Sequence, residues 1–306
     1  NALVAVDNAA WLLYAAEKGI VRFDDMIPPA WRQVLPHRHN RLASIPLVSY
    51  AVPVRDVETA AAEGYFFMKI KIGQPGTQRE MLEKDIARIA EIHNALRDRE
   101  TPHTPDGRIP YYFDVNGRYE SKDTLRRFLD HAGRIGALER IAVIEEPFPE
   151  NCEDHVGDLG VRIAADESAH TDAHAAERIS MGYGAIALKP IAKTLSMSLK
   201  IASVAAGRGV PCFCADLTVN PILVDWNKNV AARLTPFPGL GIGLLETNGH
   251  QNYANWEAMK RSHPCCGASW TETRNGLFYL DGDFYEKSGG IYMPSEHYEG
   301  LFMKKG

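Results

Sequence analysis

Lysines and carboxylates, the residue types of proton transfer and metal binding, stand directly behind a series of short apolar runs. Lys69 and Lys71 close the run Phe66–Ile72 as Lys-Ile-Lys, and the two-residue period of a strand puts both side chains on one side. Asp114 and Asn116 close Tyr111–Val115, Glu145 and Glu146 follow Ile141–Ile144, Asp166 and Glu167 follow Val161–Ala165, and Lys189 follows Ala185–Leu188. Taken singly, each has a plain reading. Lys-x-Lys can be the solvated face of an edge strand, Asp166 can cap a helix, and Glu145-Glu146-Pro147 can open a turn. Recurrence argues otherwise, because unrelated surface charges would not all fall at the same end of successive runs.

Three carboxylates offer the hard oxygens that suit an octahedral divalent cation with positions left for water or substrate. Such a cation would hold a substrate carboxylate and offset the charge that appears when the neighbouring carbon loses its proton. A lysine that takes that proton must first be able to release its own. A nearby ammonium and a metal ion both favour the release, and Lys69 stands two residues from Lys71.

The elements that must position these residues alternate. Apolar runs at Ile45–Val52, Phe66–Ile72, Tyr111–Val115, Ile141–Ile144, Val161–Ala165, Ala185–Leu188, Val210–Cys214 and Leu240–Leu245 read as strands. Helices are expected between them at Asp56–Glu63, Gln78–Asp98, Ser121–Ile135, Asp154–Leu159, Ala173–Met181, Ser196–Arg208 and Pro221–Leu234, with an Ala-rich helix at Leu3–Gly19 ahead of them. Strands alternating with helices in this number predict an α/β barrel whose strand ends converge at one mouth. A doubly wound sheet is the competing arrangement, but Ile72-Gly73-Gln74-Pro75-Gly76 is not its GxGxxG phosphate loop. Residues 1–40 then read as a lead-in helix and linker, 41–247 as the barrel, and 248–306 as a C-terminal segment packing on the barrel or a partner.

Composition bounds the function. The 306 residues carry a net charge of −5 and no long basic block, so a nucleic-acid partner is not expected. No apolar run is long enough to span a bilayer, so a membrane partner is not expected either. The uneven cysteine set, Cys152 alone with Cys212/Cys214 and Cys265/Cys266, lacks zinc spacing and suggests a reducing, cytoplasmic setting. A small carboxylate substrate fits this picture, and a homo-oligomer is open, although no interface is legible.

Lys69-Ile-Lys71, Asp114-Val-Asn116, Ile144-Glu145-Glu146-Pro147, Ala165-Asp166-Glu167-Ser168 and Leu188-Lys189-Pro190, in this order, make the chain similar to the enolase superfamily and, within it, to the muconate lactonizing enzyme group. The resemblance implies a modified (β/α)7β barrel and makes Asp114, Glu145 and Asp166 ligands of Mg2+. It makes Lys71 and Lys189 acid/base groups on opposite faces of the substrate. Lys69 would assist catalysis and bind the substrate carboxylate, with Asn116 and Glu246 also touching substrate. It further makes the first helix the link to an N-terminal α+β capping domain, which is expected to be missing from this chain. The sequence departs from the pattern at Lys193-Thr194, where relatives have a Gly-Gly pair, and in an insertion at Thr101–Arg108. Where the mandelate racemase group has a histidine after the seventh strand, Cys214 and Asp216 stand here, which favours a Lys/Lys over a Lys/His pair. The implied reaction is Mg2+-dependent removal of the proton alpha to a carboxylate, leading to racemisation or epimerisation. The same groups could instead dehydrate an acid sugar or run a cycloisomerisation, and a barrel without catalytic activity is the remaining alternative.

Overall fold

A computed structural model describes residues 2–303. Its strands are β1 (Arg41–Ile45), β2 (Leu47–Val48), β3 (Lys69–Lys71), β4 (Tyr111–Asp114), β5 (Ile141–Glu145), β6 (Ile163–Ala165), β7 (Ala185–Leu188), β8 (Cys212–Cys214), β9 (Gly243–Glu246), β10 (Thr273–Arg274) and β11 (Leu277–Tyr279). From β3 to β9 each strand pairs in parallel with the next. The curled sheet closes through β1 and β2. β1 lies parallel to β9, β2 lies parallel to β3, and only Pro46 separates the two. Proline has no N–H to give a ladder, so the strand is interrupted there. The Pro46 carbonyl still takes the Lys69 N–H at 3.0 Å and so helps hold the seam.

The barrel interior mixes small and aromatic side chains. Ala164, Ala185, Ala187 and Ala215 leave room for Phe67, Tyr112, Phe213 and Phe237, all buried. These four rings form a closed cycle, with centroids 5.5 Å apart for Phe67–Tyr112, 5.6 Å for Tyr112–Phe213, 5.8 Å for Phe213–Phe237 and 6.4 Å for Phe67–Phe237. They plug the barrel, so charged groups at its upper end meet an apolar floor. A second, larger apolar layer lies between the strands and the surrounding helices.

Several of the longer helices start at a side chain that caps them. Thr77 and Glu80 form a reciprocal capping box ahead of Gln78–Leu96, while Ser121, Thr171 and Asn220 cap Lys122–Arg134, Asp172–Ser180 and Pro221–Ala231. The first helix, Ala2–Lys18, docks on helix Leu195–Ala206. Asp7 accepts from the Ser196 N–H at 3.1 Å, and the Trp11 indole donates to Ser196 Oγ at 3.0 Å. Among the described residues no helix is long and apolar enough to cross a membrane.

The structure corrects the helix expected at Asp154–Leu159, where the chain forms turns. Its polar groups are committed elsewhere: the Val156 N–H goes to the Met181 carbonyl, the His155 carbonyl accepts from Lys122, and Asp158 pairs with Lys122 and Arg126. Gly157 and Gly182 also pass so closely that a Cβ on Gly182 would lie 2.4 Å from the Gly157 nitrogen. The segment after β9 adds short helices and the hairpin β10–β11, whose second strand lies antiparallel to β1 on the outside of the seam.

Candidate active site at the upper mouth

The parallel registers bring the charged residues together. Lys71 stands opposite Asp114, Asp114 opposite Glu145, and Ile45 opposite Glu246, so these strand ends share one rim. Lys69 points into the barrel and is 3% exposed. Its Nζ donates to Glu145 Oε1 at 3.0 Å and Glu246 Oε2 at 3.2 Å, and lies 3.0 Å from Asp114 Oδ2. Burial works against this cation, but Asp114, Glu145 and Glu246 outweigh it and hold its pKa well above the usual lysine value. Lys69 is therefore a positive charge set among three carboxylates, two of which accept its hydrogen bonds.

Lys71 donates to Asp114 Oδ2 at 2.5 Å and Asn116 Oδ1 at 2.6 Å. Asn116 in turn donates from Nδ2 to Glu167 Oε1 at 3.1 Å, and its backbone N–H reaches Asp114 Oδ1 at 2.9 Å. On the other flank Lys189 pairs with Asp166 Oδ2. Lys193 sits behind, donating to the carbonyls of Asp166 at 2.6 Å and Ala169 at 3.1 Å. Going round the barrel, the acidic ends of β4, β5 and β6 lie between Lys71 on β3 and Lys189 after β7.

Acids outnumber bases here. Asp114, Glu145, Glu146, Asp166, Glu167, Asp216 and Glu246 face Lys69, Lys71, Lys189 and Lys193. The balance is uneven. Burial pushes Asp114 up, but Lys69 and Lys71 bring it below the carboxylate range, and Lys189 and Lys193 do the same for Asp166. Glu145 and Glu167 stay raised, first by burial and then, despite Lys69 beside Glu145, by the charge of Asp166. Burial lifts Glu146 and Asp216 each to about 7. Lys189 is held charged, with burial opposing and Asp166 prevailing.

Glu145, Asp166 and Glu167 each offer one oxygen within 4.8 Å of the others. Glu167 Oε2 and Asp166 Oδ1 are buried without a hydrogen bond, although the Lys193 ammonium lies 3.1 Å from Asp166 Oδ1 outside hydrogen-bonding geometry. Orphaned buried carboxylate oxygens in a rim where carboxyl groups outnumber ammoniums fit a hard divalent cation. Asp114 lies outside this group, and both of its oxygens are engaged by Lys69, Lys71 and the Asn116 N–H.

Backbone strain gathers at the same rim. Asn116, Glu146, Thr194 and Thr218 have φ of 49°, 40°, 76° and 55°, values that non-glycine residues seldom adopt. Asn116, Glu146 and Thr218 come shortly after β4, β5 and β8 at the upper mouth, and Thr194 caps the helix Leu195–Ala206 that follows Lys193.

Residues 53–244 match the family described as enolase C-terminal domain-like. The chain is a member of the enolase superfamily. Similar folds include a mandelate racemase/muconate lactonizing enzyme from Roseiflexus sp., 20% identical with a TM-score of 0.62 over 85% of this chain and 67% of that one. The L-Ala-D/L-Glu epimerase from Bacillus subtilis is 18% identical with a TM-score of 0.59, over 82% and 64%. The N-succinyl Arg/Lys racemase from Bacillus cereus ATCC 14579 is 15% identical with a TM-score of 0.61, over 82% and 61%. The likeness is one of fold, and this superfamily member spans about two thirds of the length of these structures. No curated protein matches it in sequence.

The sequence pattern assigns no site role to Glu167, Lys193 or Tyr112. Tyr112, whose hydroxyl bonds Glu145 and whose ring lies 5.5 Å from Lys69 Nζ, is hidden inside an apolar run. Glu167 was obscured by its neighbour Asp166, and the only signal for Lys193 was the departure from Gly-Gly.

Proposed function

We propose that the protein removes the proton alpha to the carboxylate of a small substrate and returns it on the other face, as a racemase or epimerase. The observation that carries this is the placement of Lys71 and Lys189, each paired with a carboxylate, on either side of the acidic cluster. Glu145 and Asp166 would hold a divalent cation, taken as Mg2+, with Asp114 or Glu167 supplying a third oxygen. Once bound, the cation would neutralise the substrate carboxylate and the charge that develops as the alpha carbon loses its proton.

The chain's own residues do the rest. Lys71 takes the alpha proton from one face, and the electron pair it leaves moves into the carboxylate as an enediolate. Lys189, charged beside Asp166, delivers a proton to the opposite face, and the roles reverse for the other enantiomer. Lys69 stays charged and fixes the three carboxylates around it. Asn116 and Glu246 complete the polar wall against which substrate lies. The absence of histidine after β8 supports a lysine pair.

The test is alpha-deuterium exchange in D2O with Mg2+ over a panel of N-acylated amino acids, dipeptides and acid sugars, followed by chiral separation. Wild-type protein should deuterate and invert the alpha carbon. Lys189→Ala should exchange one enantiomer, Lys71→Ala only the other, and neither variant should invert. Formation of a dehydrated keto acid would replace this reading with dehydration, and a cyclised product would replace it with cycloisomerisation.

A further inference from the structure

The opposite end of the barrel holds a cavity of about 540 Å³ that the proposed chemistry does not use. Arg108, Arg140 and Arg162 line it together with Ile141, Val161 and Leu240. Its side wall is the inserted loop Thr101–Arg108, which folds on its own bonds: Thr101 N–H to the Gly107 carbonyl at 2.8 Å, and Thr104 Oγ1 to the Arg108 carbonyl at 2.8 Å. His103 anchors the loop against Phe66, with ring centroids 4.5 Å apart.

Two of the three guanidinium groups are occupied. Arg108 lies 3.5 Å from Glu139 and 3.9 Å from Asp106, the acids that also line the cavity. Arg140 donates to the carbonyls of Leu96 and Arg97 at the end of helix Gln78–Leu96. Arg162 is different. It lies half-buried with its guanidinium 5.3 Å from the Phe237 ring, directly beneath the aromatic plug, and makes no side-chain hydrogen bond or ion pair among the described residues. Desolvation is the sole influence on its pKa, which it lowers. A half-buried guanidinium whose donors meet solvent and no protein acceptor is open to an oxyanion that displaces that solvent.

We propose that this lower mouth is a second binding site, for a small organic anion whose carboxylate or phosphate sits on Arg162 and whose apolar part lies on Ile141, Val161 and Leu240. The cavity has the size of small-molecule sites, and its lining sets an apolar wall beside charged groups of which Arg162 alone has no hydrogen-bond or ion-pair partner among the described residues. The site is independent of the reaction at the upper mouth.

The experiment titrates the full chain, by calorimetry in EDTA, with phenyl phosphate and with benzoate, using phenol as the neutral control. The two anions distinguish a phosphate site from a carboxylate site. At least one should bind one to one while phenol does not. Arg162→Gln should weaken that binding by about tenfold or more, and Arg162→Lys, which keeps the charge but loses the fork, by several-fold. Circular dichroism checks folding, and if Arg162→Gln is unfolded, Arg162→Lys decides. Failure of both anions to bind at millimolar concentration overturns the proposal. So does affinity unchanged in the folded variants, which would place the anions elsewhere, including the upper mouth.

Discussion

At the scale of single residues, the third oxygen of the proposed cation site separates chemistry read from pattern from chemistry read from geometry. Asp114 is spoken for by two ammoniums and a backbone N–H, whereas Glu167 leaves Oε2 unbonded. If Asp114 supplies the oxygen, cation binding must loosen its tie to Lys71. Asp114→Asn should then weaken Mg2+ binding by at least about tenfold and Glu167→Gln by little. The reverse order in calorimetric titrations would assign the position to Glu167. Asp216 gives a second prediction, in pH. Burial and the charge of Glu246 lift its carboxyl from 3.8 to about 7, so the folded state binds this proton more tightly than the unfolded chain. The resulting stabilisation is complete below about pH 4 and is lost as pH rises through about 7, on the order of 2–4 kcal/mol. Urea unfolding from pH 4 to 8 should show that decline in wild type and a flatter profile in Asp216→Asn. Equal slopes would remove Asp216 as its source.

Among elements, the turn that leads from Lys189 into helix Leu195–Ala206 carries a visible strain. Thr194 has φ of 76° while its Oγ1 caps the Met197 N–H at 3.1 Å. A left-handed β-branched residue costs roughly 1–3 kcal/mol, and replacing a threonine cap by glycine loses only a few tenths. Thr194→Gly should therefore raise stability by about 1 kcal/mol, and Thr194→Ala, which loses the cap and keeps much of the strain, should lower it. A destabilised Thr194→Gly in denaturant titration would show that the hydroxyl matters more than the backbone. The departure from Gly-Gly was legible in the sequence, but the strain it creates was not, because φ is set by how the flanking Lys193 and the helix are held. The barrel strands were legible for a related reason. Strands covered on both faces read as unbroken apolar runs, and the charge behind each run marks where cover ends. Thr273–Arg274 and Leu277–Tyr279 are too short to give such a signal, and their pairing with β1 depends on contacts distant in the chain. Asp154–Leu159 failed for the same reason: its hydrogen bonds go to Lys122 and Met181, which local sequence does not reveal.

For the whole molecule, the aromatic plug makes the upper mouth costly to leave unbalanced. Phe67, Tyr112, Phe213 and Phe237 keep water from beneath the rim, so the surplus carboxylates there are relieved by holding protons, by the ammoniums, or by a cation. Lys69 alone touches three carboxylates, and still Glu145 and Glu167 remain raised. A divalent cation that binds the folded rim and not the unfolded chain must then stabilise the fold, by about 2.7 kcal/mol when its concentration is a hundred times its Kd. The gain should grow as pH rises from 6 to 8, because protons and cation compete for the same oxygens. Thermal unfolding with increasing Mg2+ should raise Tm in wild type. Glu145→Gln should abolish the rise even if its own Tm without Mg2+ is higher than wild type, since removing one buried carboxylate relieves the repulsion that the cation would otherwise relieve. A Tm that does not respond to Mg2+, Mn2+ or Ca2+ at any of these pH values would mean that Lys69 and bound protons already balance the rim. The proposed proton transfer would then lose the charge it depends on.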